Sequence, residues 1–161
     1  MAADSFPRIL LTLVATLPAA GWISPAQAES PTQYCRHSGT DDATRPIPQS
    51  LVPAVNAAFG MQLPDRMATD TTVFRCAGQH VMVCTAGANL PCGKANVSRT
   101  PSAGSVQWCH DNPDTAFIPA VATGHDTIYA WRCQAGTAQI VRQTLHIDPR
   151  GFVAEFWKTL P

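Results

Sequence analysis

Six cysteines and one His-Asp pair are the residues of this chain whose types and spacing could do chemistry. Cys35, Cys76, Cys84, Cys92, Cys109 and Cys133 are separated by 40, 7, 7, 16 and 23 residues, with no Cys-x-x-Cys among them. Zinc sites and dithiol redox sites need thiolates at short spacing, so no metal and no cofactor is expected. An even number of cysteines in an exported chain reads as three disulfides, which leaves no free thiol to act as a nucleophile. No Gly-x-Ser-x-Gly elbow offers a serine instead, and Ser102-Ala103-Gly104-Ser105 reads as a helix cap and first turn. His125-Asp126 sits in a glycine-led loop, where binding groups concentrate. Neighbours on extended chain point to opposite sides, so Asp126 is poorly placed to orient His125 directly. Lys94, Asn96 and Arg99 make a second polar group beside Cys92. These five residues are the expected binding groups, and no catalytic residue is assigned.

The export reading comes from the N-terminus. An apolar run from Ile9 to Ala20 is interrupted only by threonines, is broken by Pro18 and Gly21, and is followed by Ala26-Gln27-Ala28. The run is shorter than the roughly 20 residues a membrane span needs. The small residues at 26 and 28 suit a bacterial signal peptidase. Residues 1–28 are therefore expected to be a signal peptide, cleaved after Ala28, with no membrane span left in the mature chain. Periplasmic or secreted localisation follows. The 161-residue chain carries 11 basic and 11 acidic residues, a net charge of zero. No basic run points to nucleic acid, and no cationic amphipathic stretch points to a membrane surface.

The elements that must position these groups are legible in part. Residues 29–48 are rich in Pro, Thr, Ser and Asp and read as an irregular arm pinned by Cys35. Residues 49–161 are expected to form one domain. Residues 50–60 read as a short helix, capped by Ser50, with Pro53 in its first turn and Gly60 at its end. Leu51, Val52, Val55 and Phe59 recur at helical spacing. From Thr71 the period changes to two, and Val73–Cys76 and Val81–Cys84 flank a Gly-containing turn. With Cys76 opposite Val81, the residues Phe74, Cys76, Val81 and Val83 share one face, and Val73, Arg75, Met82 and Cys84 the other. In that register Cys76 and Cys84 point apart and lie about 10 Å out of step along the strand, beyond disulfide reach. A second hairpin is expected around Gln134-Ala135-Gly136. A third is expected at Asp148-Pro149-Arg150-Gly151, with Leu145 and Ile147 facing Phe152, Ala154 and Phe156, and His146 sharing the other face with Val153, Glu155 and Trp157. A helix over 103–111 and a loop over 122–127 complete the picture. The expected fold is α+β: a mostly antiparallel sheet of five or six strands with one or two short helices, stapled by disulfides.

The segments CTAGANLPCGKAN, TGHDTIYAWRC and DPRGFVAEFWKTL resemble short exported proteins of alphaproteobacteria without an assigned function. Tyr129-Ala130-Trp131-Arg132-Cys133-Gln134-Ala135-Gly136 is also faintly similar to the aromatic-x-Cys-x-x-Gly strand of periplasmic C-type lysozyme inhibitors, which are small disulfide-bonded β-barrels. Thr123–Tyr129 loosely resembles their Ser-Gly-x-x-Tyr inhibitory loop. The reading that follows is an exported soluble binding module, not an enzyme, for an unidentified protein or small molecule of the cell envelope. The loops at 92–101 and 123–127 are its expected contact surface. An inhibitor of an envelope-active hydrolase such as lysozyme is the alternative implied by the second resemblance. A small hydrolase using His125 is the third.

Overall fold

A computed structural model describes residues 29–87 and 90–161. The expected signal peptide over residues 1–28 lies outside the described residues. The fold is α+β, with six antiparallel strands in two sheets and three disulfides. The larger sheet runs in the order β1 (Asp41–Pro46), β2 (Thr72–Ala77), β3 (His80–Thr85), β6 (Lys158–Thr159). The smaller pairs β4 (Tyr129–Gln134) with β5 (Thr137–Gln143). The helices are α1 (Pro31–Ser38), α2 (Val52–Phe59), α3 (Asp65–Thr71), α4 (Ala103–Asp111) and α5 (Ala120–Thr123). The sheet is thus split in two, and the helices outnumber the one or two expected. Among the described residues no helix is long and apolar enough to cross a membrane.

The β2–β3 register places Cys76 opposite Val81 and Phe74 opposite Val83. Phe74, Cys76, Val81 and Val83 pack with Val52, Val55 and Ala68 of α2 and α3 in the main core. On the other face Val73, Met82 and Cys84 pack against Phe152 and Trp157. A third core joins Cys109 of α4 to Ile118, Trp131, Cys133 and Ala138 around the small sheet. Each core holds one disulfide: Cys35–Cys76, Cys84–Cys92 and Cys109–Cys133. Closing sequence separations of 41, 8 and 24 residues restricts the unfolded chain by about 4, 2.5 and 3.5 kcal/mol on the loop-entropy account. Both two-residue hairpin turns take positive φ at both positions, Gly78-Gln79 and Ala135-Gly136, the left-handed pair whose twist matches that of the strands.

Residues 29–48 are not an irregular arm. Ser30 caps α1 by accepting from the Gln33 backbone N–H, and the Gln33 side chain accepts from the Ser30 N–H. This reciprocal pair satisfies two otherwise orphaned donors. Cys35 and Pro31 are buried, and the chain continues into β1 as the edge of the large sheet. The helix expected over 50–60 begins at Val52, two residues later, after a 3₁₀ turn at Gln49–Leu51 and without a side-chain cap from Ser50. Gly60 ends it in the left-handed conformation. Ser102 caps α4 as expected, whereas 120–123 turns helical before the loop.

The third hairpin forms one residue out of the expected register. Gly151 has a φ of 84° and adds a residue after the type I turn. Phe152 then pairs with Asp148, and Val153 with Ile147. A one-residue slip exchanges faces, so Phe152 turns into the core while Ile147 is exposed. The partner of Phe152 there is Arg75, which is 1 % exposed. Its guanidinium lies 4.1 Å from the Phe152 ring centre and 4.6 Å from that of Trp157, and one amino group is paired with the Asp148 carboxylate. The other Asp148 oxygen accepts from the backbone N–H groups of Arg150 and Phe152. One carboxylate therefore closes the turn and neutralises the buried cation. Asp148→Ala strands that cation and is expected to lower stability by about 3–5 kcal/mol. Arg75→Met keeps an apolar body between the rings and is expected to cost less. Urea unfolding of the two variants measures the order, and a larger loss in Arg75→Met would contradict the assignment.

Candidate functional site

The expected binding residues are engaged in different contacts. Lys94 donates from Nζ to Asp42 (2.7 Å) and to the Arg150 carbonyl (2.7 Å), and lies 4.8 Å from the Phe152 ring centre. Arg150 grips the same Asp42 carboxylate with Nε and Nη2, each at 3.0 Å. Lys94 is thus part of an ion cluster that ties β1 to the Asp148–Gly151 turn. Arg99 sits over the Tyr129 ring at 5.5 Å, within cation–π range. Asn96 and Asp126 are joined through backbone: the Asn96 N–H donates to the Asp126 carbonyl (2.8 Å), and the Ile128 N–H donates to the Asn96 carbonyl (3.2 Å). The Asp126 carboxylate turns back toward Gly124, within 2.8 Å of where a Cβ would stand there. His125 is exposed.

The loops at 92–101 and 123–127 do meet, around a pocket of about 260 Å³ lined by Asn96, Ser98, Thr100, Ser102, Thr127 and Trp131. Most of its polar groups are engaged in holding the loops together. Ser102 donates to the Ala122 carbonyl, Ser98 accepts from the Thr100 N–H, and Thr127 accepts from the Trp131 indole. His125, Asp126, Lys94 and Arg99 lie outside its lining.

A different cavity has the character of a ligand site. It holds about 390 Å³ and is walled by Phe59 at the end of α2, Met61 and Leu63 of the following link, Met67 of α3, Leu90, and Phe156. Met67 is 51 % and Leu90 42 % exposed, so apolar wall stands open to solvent. Ligand pockets are concave, mostly apolar and carry a few placed polar groups. Here those groups are Thr71, Thr85, Glu155 and Lys158. Thr71 donates to the Met67 carbonyl and Thr85 shares a hydrogen bond with Thr72. Glu155 accepts from the backbone N–H of His146 (3.0 Å) and from its Nδ1 (2.7 Å). Burial pushes the Glu155 carboxyl up, but the hydrogen bonds from the His146 side chain and from the Glu155 and His146 backbone, with the His146 charge, together hold it below its usual range. Lys158 is exposed at the rim and, among the described residues, takes part in no ion pair.

The walls are held in place by local bonds. Asn56 bonds Leu63 twice, Nδ2 donating to its carbonyl (3.0 Å) and Oδ1 accepting from its N–H (3.1 Å). This fixes the 61–63 link against α2. Gly87 and Leu90 exchange two backbone hydrogen bonds at 3.3 and 3.2 Å, inside the short loop that Cys84–Cys92 closes. Sequence reasoning missed this site because each apolar residue, taken alone, reads as core. The one available signal was local: apolar residues at 59, 61, 63 and 67 outrun the single buried stripe that α2 needs.

The Asp42 cluster has a pH signature. Hydrogen bonds from Arg150, then Lys94, hold the Asp42 carboxyl down to about 2. A carboxylate depressed in the folded state stabilises above its unfolded pKa and loses that effect as pH falls toward the folded value. Asp42→Asn is expected to lower stability by about 1 kcal/mol near neutral pH. That difference is expected to shrink as pH drops from about 4 to about 2. Urea midpoints of both proteins across that range check it; a pH-independent difference would mean that the charge is idle. Comparison of the chain with protein-family models, curated proteins and solved structures finds no match for it.

Proposed function

We propose that this chain is an exported, non-enzymatic binding module of the cell envelope that takes an apolar ligand in the cavity between α2, α3 and the C-terminal segment. The observation that carries the reading is that cavity: about 390 Å³, open, apolar, and walled by segments pinned independently of any ligand. The three disulfides support an oxidising compartment, as does the signal-like N-terminus. Two methionines in the wall suit a site that must fit a flexible or variable apolar body, because an unbranched thioether repacks at little cost. The hydrolase reading gains nothing from the arrangement of His125, whose neighbour Asp126 is turned toward Gly124.

The test uses a neutral apolar fluorophore such as N-phenylnaphthylamine, whose emission rises on leaving water. Saturable binding of one equivalent is expected. Met67→Asp places a carboxylate in the wall and is expected to weaken binding about ten-fold or more, with an unchanged circular dichroism spectrum. His125→Ala is expected to leave binding unchanged. Absence of saturable binding by the native protein, or equal binding by Met67→Asp, defeats the proposal.

A further inference from the structure

We infer that the ligand of this cavity is a single-chain amphiphile with an anionic head, a fatty carboxylate by chemistry, whose head group pairs with Lys158; this rests on the apolar-site reading above. Thr71 has given its hydroxyl proton to the Met67 carbonyl and Thr85 shares a hydrogen bond with Thr72, so among the described lining residues these hydroxyls offer little beyond acceptor lone pairs. A sugar or nucleotide would therefore bury hydroxyls against Phe59, Leu63, Met67 and Phe156 without adequate partners, and unpaired buried polar groups are costly. The body of the ligand must be apolar.

The rim then sets the head group. Two charged side chains line the cavity, Glu155 and Lys158. Glu155 is already bonded by His146 through both backbone and ring nitrogen. That leaves the Lys158 ammonium as the charge at the opening that, among the described residues, has no ion-pair partner. Lys158 is also well placed to stay there. It lies on β6, registered against Val83, and the next turn of chain is pinned where the Leu160 N–H donates to the Val81 carbonyl at 2.9 Å. Its backbone is thus fixed to the sheet while its side chain reaches water. An apolar tail in the cavity and an anion at the rim match this distribution of charge.

Three probes of equal chain length separate the parts of the claim: decanoate, decanol and decyltrimethylammonium, each displacing the neutral fluorophore. Lys158→Glu is expected to weaken decanoate about ten-fold, to leave decanol within about two-fold, and to tighten decyltrimethylammonium. Added salt is expected to shrink the decanoate effect, since a rim charge is screened. If the three probes respond alike to the charge reversal, the Lys158 assignment is overturned while the apolar site stands. If the native protein binds the fluorophore but neither decanoate nor decanol displaces it, the single-chain ligand is wrong. If nothing apolar binds, the site itself is wrong. Unchanged decanol affinity in Lys158→Glu also shows that the variant is folded.

Discussion

Arg75 occupies a strand position whose neighbours on the same face, Val73, Met82 and Cys84, are apolar. A guanidinium in such a layer is costly unless its charge is met. Everything that meets it comes from the C-terminal segment: the Asp148 carboxylate, the Phe152 ring and the Trp157 ring. That segment has little regular structure, two isolated bridges, a 3₁₀ turn and the two-residue β6. The buried cation therefore specifies where it lies. Phe156 and Lys158, on either side of Trp157 in the chain, line the adjoining cavity, Phe156 while also packing against the core that holds Trp157. The wall and rim of the candidate site are in this sense consequences of one charge on β2.

The disulfides divide along the same sheet. Cys76 points to the helix-covered face and bonds Cys35 of α1; Cys84 points to the Arg75 face and bonds Cys92. The two strand cysteines are close in sequence and belong to different cores. One crosslink per face holds the N-terminal helix on one side and the 85–92 loop on the other. The third crosslink holds α4 against β4.

What could be read from the sequence was what depends on local period and on turn chemistry. The alternation from Val73 to Cys84 yields the correct register, both faces and the exclusion of a Cys76–Cys84 bond. Ser102 and Gly60 bound their helices as caps should. The Ser30–Gln33 capping box was also present in the sequence, but a composition of Pro, Thr and Asp hides a short helix whose stability comes from Cys35 and the sheet beneath it. The third hairpin failed by one residue because a glycine at the fourth turn position fits either a plain turn or a bulge, and the burial of Phe152 on Arg75 chose the bulge. The polar residues singled out as binding groups were chosen for local exposure. Their fates were settled by partners distant in sequence: Asp42 for Lys94, and the 126–128 backbone for Asn96.

The cavity poses a question that stability alone does not answer. The buried side of α2 is already supplied by Val52 and Val55, which seal it to the sheet. Phe59 and Leu63 pack partly against that core and also face the cavity, and Met67 adds apolar surface that no other described element covers. A polar side chain at 67 would remove exposed apolar area at little cost to the core, since Met67 is exposed and stands outside it. Instead Asn56 uses both ends of its amide to hold the 61–63 link in place, and Cys84–Cys92 closes the loop that bears Leu90. Bonds that keep an apolar concavity open reduce what a ligand must spend on ordering it. An apolar wall held from two sides, with a cation at its edge that among the described residues takes part in no ion pair, is the arrangement on which the proposed ligand reading rests.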